Sequence, residues 1–343
     1  MNVLLQQMLL AAVLAGVLAV GFTPLVKRLA ERFGVVRAPR ARDVHQSPTP
    51  LWGGLAMFGA FVITVLLLID LLTGQGPLVL NRGGQHPILG LLLGGTIIAV
   101  AGLLDDKYDL SPVKQTGALL LGGLVASLLG VRIEGITNPL APPSPGGTYT
   151  SDNYLPLGIW SVPLTMAWVF LVAKTFDFLD GLDGLAAGVC AIASGTIGLL
   201  AAGQGDTSVA LMSGALAGAC LGFLRYNYPR DGKPASIFMG TIGGQFLGFV
   251  LAALSIVGGF KIPATISVMI PLLVLGVPVF DGLFVLGKRV WLRQAPHKAD
   301  NTMHIHHRLR RSGLSVKQTV WAVYALTASC CAAALLLAWG TLR

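Results

Sequence analysis

Apolar stretches as long as a bilayer is thick recur along this sequence, and that recurrence limits its fold more than any other feature. A helix that crosses a bilayer needs ~20 largely apolar residues, with ~17 tolerated. Ten runs qualify, at roughly 3–25, 52–73, 87–104, 117–132, 156–173, 184–203, 208–225, 240–258, 262–286 and 318–340. The fourth is the shortest and is rich in glycine. The longest polar gaps, 26–51, 133–155 and 287–317, leave no room for a soluble domain. The reading is an all-α polytopic integral membrane protein, one domain over residues 1–343.

Composition agrees. Apolar residues make up 54% and charged residues 11%, against ~25% charged for an ordinary soluble protein. Mean hydropathy is +0.74. So few charges cannot keep a chain this size dispersed in water, which excludes soluble globular, disordered and fibrous classes. The 44 glycines suit helices whose backbones approach closely in lipid. Met1 to Val20 lacks a basic leader and a small-residue cleavage site, and Lys27 and Arg28 follow it, so it reads as a first span. Cys190, Cys220, Cys330 and Cys331 lie in apolar runs and read as small buried hydrophobes.

Charge sorts the loops into two sets. Of the 24 Lys and Arg, 20 fall on the side of loop 26–51; only Arg82, Arg132, Lys261 and Arg343 fall on the other. The positive-inside rule puts the basic side in the cytoplasm and both termini outside. The net charge of +9 then marks orientation and attraction to anionic headgroups and substrates, with no need for nucleic acid.

Eleven of the fifteen acids share that basic side. Asp105, Asp106 and Asp109 end the third span, with Asp105 and Asp109 one helical turn apart. They read as Mg²⁺ ligands or as a general base. Asp177, Asp180 and Asp183 follow at i, i+3 and i+6 in Lys174-Thr175-Phe176-Asp177-Phe178-Leu179-Asp180-Gly181-Leu182-Asp183-Gly184. Three carboxylates in one stripe beside lipid cost several kcal/mol unless a cation offsets them. A third cluster, His304-Ile305-His306-His307-Arg308, fits either a transition metal or an anion. The neighbouring arginines and the lack of a nearby cysteine favour an anion such as a diphosphate. Two weaker features are the Pro-punctuated loop Arg42-Asp43-Val44-His45 to Pro50, and Asn227 leading to Ile237-Phe238-Met239-Gly240. Carboxylates for a hard cation and His/Arg for phosphate oxygens, all at one face, suit phosphoryl transfer between a nucleotide and a lipid phosphate. A transporter would place its acids nearer the midplane.

These motifs resemble the polyprenyl-phosphate N-acetylhexosamine-1-phosphate transferases, bacterial membrane enzymes related to the phospho-MurNAc-pentapeptide translocase. The resemblance rests on Arg42-x-x-His45-x-x-Pro48-x-Pro50-x-x-Gly53-Gly54, Gly102-Leu103-Leu104-Asp105-Asp106 through Lys114, Asp180-Gly181-Leu182-Asp183-Gly184, Asn227 with Ile237-Phe238-Met239-Gly240, Asp281, and His304-Ile305-His306-His307-Arg308-Leu309. It implies transfer of a sugar-1-phosphate, with GlcNAc-1-phosphate expected, from a UDP-sugar to undecaprenyl phosphate with release of UMP. It further implies a Mg²⁺ cofactor (Mn²⁺ as a substitute), the bacterial cytoplasmic membrane, a cytoplasm-facing site and a homodimer.

On that resemblance Asp105 and Asp106 handle the acceptor, and Asp180 and Asp183 the nucleotide and metal. His45, Lys114, Lys174, Asn227, His304, His306, His307 and Arg308 bind substrate. The sequence departs from the family pattern where Thr241 stands at a metal-binding Asp, and where Lys174 and Asp177 replace two Asn. Asp177 and Thr241 therefore join Asp183 as expected metal ligands. The alternative reading is a catalytically weakened homologue that binds polyprenyl phosphate or a nucleotide sugar.

Overall fold

The computed structural model describes residues 2–38, 48–73, 85–137, 154–229, 234–258, 264–292 and 303–341. Twelve α-helices are described: α1 (Asn2–Arg32), α2 (Gly53–Thr73), α3 (Pro87–Tyr108), α4 (Pro112–Leu128), α5 (Ser161–Leu179), α6 (Leu185–Gln204), α7 (Thr207–Asn227), α8 (Gly240–Val257), α9 (Ala264–Val274), α10 (Gly276–Trp291), α11 (Ile305–Arg311) and α12 (Val316–Thr341). Two short antiparallel hairpins pair β1 (Val36–Arg37) with β2 (Thr49–Pro50), and β3 (Gly135–Thr137) with β4 (Tyr154–Pro156).

The all-α membrane architecture is as expected, and the ten expected runs appear as long helices or as shorter helical pieces. Among the described residues, α1, α2, α3, α5, α6, α7, α8 and α12 are long and apolar enough to cross a bilayer, which makes eight. The expected fourth span forms as α4, whose 17 residues begin at Pro112 and end before Gly130, at φ +108°. The expected ninth span is divided. Pro271 lies inside α9, and the chain turns at Leu275 before α10 starts at Gly276. Pro278, in the first turn of α10, has no N–H to donate to the Val274 carbonyl and its ring crowds that turn, so a break there is expected. Neither piece, at 11 and 16 residues, reaches the ~20 needed to cross alone.

The bundle is layered. In each of α6, α7 and α8 the most apolar window is 78% buried, against 28% in α1 and α12, so the first three form the interior. The outer helices turn large apolar side chains outward, such as Val13 and Val17 of α1 and Leu336 of α12. Such a surface is stable against hydrocarbon and unstable against water. Small residues set the helix spacing: a Cβ at Gly218 of α7 would strike the Ala12 carbonyl of α1, and one at Gly222 the Gly16 carbonyl. This is the close backbone approach that drives helix association where no hydrophobic effect operates. Cys190, Cys220 and Cys331 are buried and Cys330 half-buried, all as free thiols, matching their reading as packing residues.

Candidate active site

One end of the bundle gathers the acidic and imidazole clusters through a set of helix termini. The backbone frame comes first. Pro50 accepts the N–H of Phe238 at 2.9 Å, while Gly53 and Gly54 donate to Phe238 and Met239 at 2.9 and 2.8 Å. The entry to α2 is thus stitched to the entry to α8. A Cβ at Gly54 would meet the backbone of Gly243, and one at Gly102 the backbone of Ile242, so α2, α3 and α8 touch main chain to main chain.

The last turn of α3 carries two aspartates with different duties. Asp106 Oδ1 accepts the N–H of Thr241 at 2.8 Å and so caps α8 across the bundle. Its Oδ2 is buried with no hydrogen-bond partner among the described residues. Gly240 makes room for that carboxylate: its φ is +72°, and a Cβ there would fall on Asp106 Oδ2. Asp105 turns toward the α3–α4 connection, where Oδ1 accepts from Leu110 N–H (3.0 Å) and Gln115 Nε2 (2.8 Å). Lys114 is exposed on the first turn of α4, and its neighbour Gln115 is the residue that reaches inward.

The second cluster closes α5. Lys174 and Asp177 form an ion pair at 2.7 Å one turn apart, and Gln245 of α8 also reaches Asp177 Oδ2, at 3.4 Å. Asp180 ends the helix. Burial pushes its carboxyl up to about 8; Arg37 partly opposes this, while Asp177, Asp183 and Asp106 add like-charge repulsion. Asp183 Oδ2 accepts the N–H of Ala235 at 3.0 Å. Next to it, Gly184 takes φ +81°, and both its backbone groups are held: Asn227 Oδ1 accepts its N–H at 2.8 Å, and Tyr324 donates to its carbonyl at 2.5 Å. The other end of the Asn227 amide donates to Ile237 O at 3.0 Å, so this buried side chain supports the loop with both of its polar ends.

The histidines lie over this loop. Asp281 of α10 binds His304 Nδ1 at 2.7 Å and accepts the N–H of Ile305 at 2.8 Å. His304 and His306 are buried and stacked, with centroids 5.9 Å apart, and His307 lies 4.3 Å from His306. A Cβ at Gly181 would fall on His306 Nε2, which ties the histidine segment to the aspartate loop. Burial pushes His306 down to about 3, with His307 and His304 adding to the shift and Asp281 opposing it, so the ring is neutral. His304 Nε2 and both ring nitrogens of His306 lack partners among the described residues. Arg308 stacks on Phe284 at 5.1 Å. Unsatisfied buried imidazole nitrogens beside repelling carboxylates are costly unless a ligand meets them.

The structure therefore brings together Asp105, Asp106, Asp177, Asp180, Asp183, Lys174, Asn227, Thr241, His304, His306 and His307. His45 lies outside the described residues. Thr241 takes part through its backbone N–H. No three His, Cys, Asp or Glu side chains converge tightly enough among the described residues to hold a metal on their own. Spacing did not announce Arg37, whose guanidinium sits 6.0 Å over the Phe238 ring near Asp180. Gln115, Gln245 and Tyr324 are neutral residues with no local pattern, and only the fold shows their partners.

Comparison with known proteins covers the same ground. Residues 88–259, from α3 through α8, match the profile of glycosyl transferase family 4. The chain is 35% identical over 303 residues to a probable undecaprenyl-phosphate N-acetylglucosaminyl 1-phosphate transferase of Bacillus subtilis, covering 88% of this chain and 77% of the relative. It is 33% identical over 339 residues to the decaprenyl-phosphate N-acetylglucosaminephosphotransferase of Mycolicibacterium smegmatis, covering 93% and 79%. Against the undecaprenyl-phosphate alpha-N-acetylglucosaminyl 1-phosphate transferase of Escherichia coli it is 26% identical over 297 residues, covering 87% and 75%. The chain belongs to glycosyl transferase family 4, among the polyprenyl-phosphate N-acetylglucosamine-1-phosphate transferases.

Proposed function

We propose that the protein transfers GlcNAc-1-phosphate from UDP-GlcNAc to undecaprenyl phosphate, at the cytoplasmic face of a bacterial inner membrane. An oxygen of the lipid phosphate attacks the phosphorus that bears the sugar. The bond from that phosphorus to the bridging oxygen breaks, UMP leaves with that oxygen, and the sugar remains on a lipid diphosphate of the kind that starts an envelope glycan. The observation that carries this reading is the pairing of mutually repelling carboxylates around Asp180 with imidazole nitrogens, Nε2 of His304 and both of His306, that lack a partner among the described residues. One set calls for a cation and the other for an anion, and a metal–diphosphate supplies both. The 20:4 bias of basic residues supports the cytoplasmic placement.

Hard carboxylate oxygens suit Mg²⁺, or Mn²⁺ in its place, and such ions take one or two protein carboxylates and complete their shell with substrate phosphate and water. One or two of Asp177, Asp180 and Asp183 would hold it, with Asp106 near enough to Asp180 to add to its repulsion. The ion would draw charge from the diphosphate as the bond to UMP breaks. Asp105 faces the acceptor side. Asp281 holds His304 at Nδ1, which fixes the ring and leaves Nε2 without a partner among the described residues, open to a phosphate oxygen.

Purified protein given undecaprenyl phosphate, UDP-GlcNAc and Mg²⁺ is expected to release UMP, with no release in chelator. No release with any UDP-sugar would overturn the reading in favour of a binding role. Asp281→Asn is expected to lower kcat/KM roughly 10- to 100-fold in the same assay, because the amide no longer fixes the Nδ1 proton.

A further inference from the structure

We propose that Lys174 is a positioning residue that couples the two acidic stations of the site through Gln115, rather than a ligand of the substrate. The argument starts from its ammonium, which only donates. Lys174 Nζ lies 2.7 Å from Asp177 Oδ2 and 2.9 Å from Gln115 Oε1, and it also faces the Phe178 ring, whose centroid is 5.2 Å away. Two of its three donors are therefore taken.

Its second bond has a consequence for the amide. Gln115 must turn Oε1 toward the ammonium, so Nε2 must point the other way. There it donates to Asp105 Oδ1 at 2.8 Å and to the Leu110 carbonyl at 3.2 Å. The reversed amide would set its NH₂ against the ammonium and its oxygen against the carboxylate, two repulsions in place of two bonds. Lys174 thus selects one orientation of Gln115, and Gln115 holds Asp105 by one oxygen.

On the other side, the ion pair offsets the charge of Asp177, which Gln245 also steadies at 3.4 Å. The resulting chain of contacts runs from α3 through α4 and α5 to α8. It joins the acceptor-side carboxylate to the proposed metal side, within a partly buried region where such bonds are stronger than in water. Neutralising Asp177 leaves the repulsion around Asp180 smaller than four unpaired carboxylates would make it.

This inference rests on the proposed reaction, and wild-type turnover tests that reaction separately. In the UMP-release assay, Lys174→Met and Gln115→Leu are each expected to lower kcat roughly 10- to 100-fold, with KM for UDP-GlcNAc changed by no more than about two-fold. The double variant should be no worse than the poorer single one, since both break one chain of contacts. Lys174→Arg, which keeps the charge and can still bridge, should recover most of the loss. Lys174→Met alone should also lower the Mg²⁺ concentration giving half-maximal rate, because Asp177 loses the ammonium that competes with the cation.

A direct phosphate contact gives the opposite pattern: Lys174→Met raises KM, Gln115→Leu is silent, and the effects multiply. That result overturns the proposal. Hydrogen exchange of the substrate-free full chain reads the coupling without turnover. The Leu110 amide, which donates to Asp105 Oδ1, should exchange faster in Lys174→Met. Unchanged exchange at Leu110 overturns the proposal even if no variant, or the wild type, is active.

Discussion

Asp180→Asn is expected to reduce UMP release by a factor on the order of 10² to 10³, the scale seen when one charge-stabilising group is removed from a preorganised site. The same change is expected to make the protein more stable. Burial and three neighbouring aspartates push the Asp180 carboxyl up to about 8. A raised carboxyl binds its proton more tightly when folded than when unfolded. Stability is therefore lost as pH climbs from the ordinary carboxylate range to about 8, and stays lost above it. Asparagine has no charge to bury, so the variant should melt higher than wild type in chelator at pH 8 to 9, and no higher near pH 4. Thermal melts in detergent at the two pH values check this. A variant that loses both activity and stability would mean that Asp180 serves the fold instead.

Gly240→Ala is the second large effect. Its φ of +72° is a conformation that costs a residue with a Cβ about 1–2 kcal/mol. The larger consequence is local: the new methyl group falls on Asp106 Oδ2. Either α8 backs away or the carboxylate swings out, and in both cases the Asp106–Thr241 cap is broken. Losing such a cap costs ~1 kcal/mol. Activity should fall at least about 100-fold, as expected when a preorganised group is displaced by ~1 Å, and the melting temperature should drop. Gly195→Ala is the control: nothing lies within 4 Å of a Cβ there, and it sits inside α6. It should leave activity unchanged and stabilise the helix by roughly 0.5–1 kcal/mol.

Which parts of this site local sequence could reveal follows from the range of the interactions. Helix formation in lipid depends on runs of apolar residues, so the spans were readable, including the buried cysteines. The division at Leu275 was not, since a proline such as Pro278 inside an apolar run is tolerated in some membrane helices and breaks others according to what packs beside it. The aspartates stood out because charge is scarce in this chain. Their partners did not. Gln115 rather than exposed Lys114 reaches Asp105, and nothing in the spacing distinguishes them, because the choice is made by Lys174, 59 residues away. Asn227 was expected to meet substrate, yet its two polar ends hold Gly184 and Ile237. Tyr324 lies in an unremarkable stretch of the last helix and meets Gly184, 140 residues away.

The stitching of Pro50, Gly53 and Gly54 to Phe238 and Met239 bears on biogenesis. Synthesis is vectorial, so α1, α2 and α3 leave the ribosome long before residue 238 exists. During that interval the N–H groups of Gly53 and Gly54 and the carboxylate of Asp106 have none of their final partners. Only the arrival of the segment that opens α8 supplies them all, between Phe238 and Thr241. A nascent chain halted before that point would carry every aspartate of the first two clusters and still have no active site.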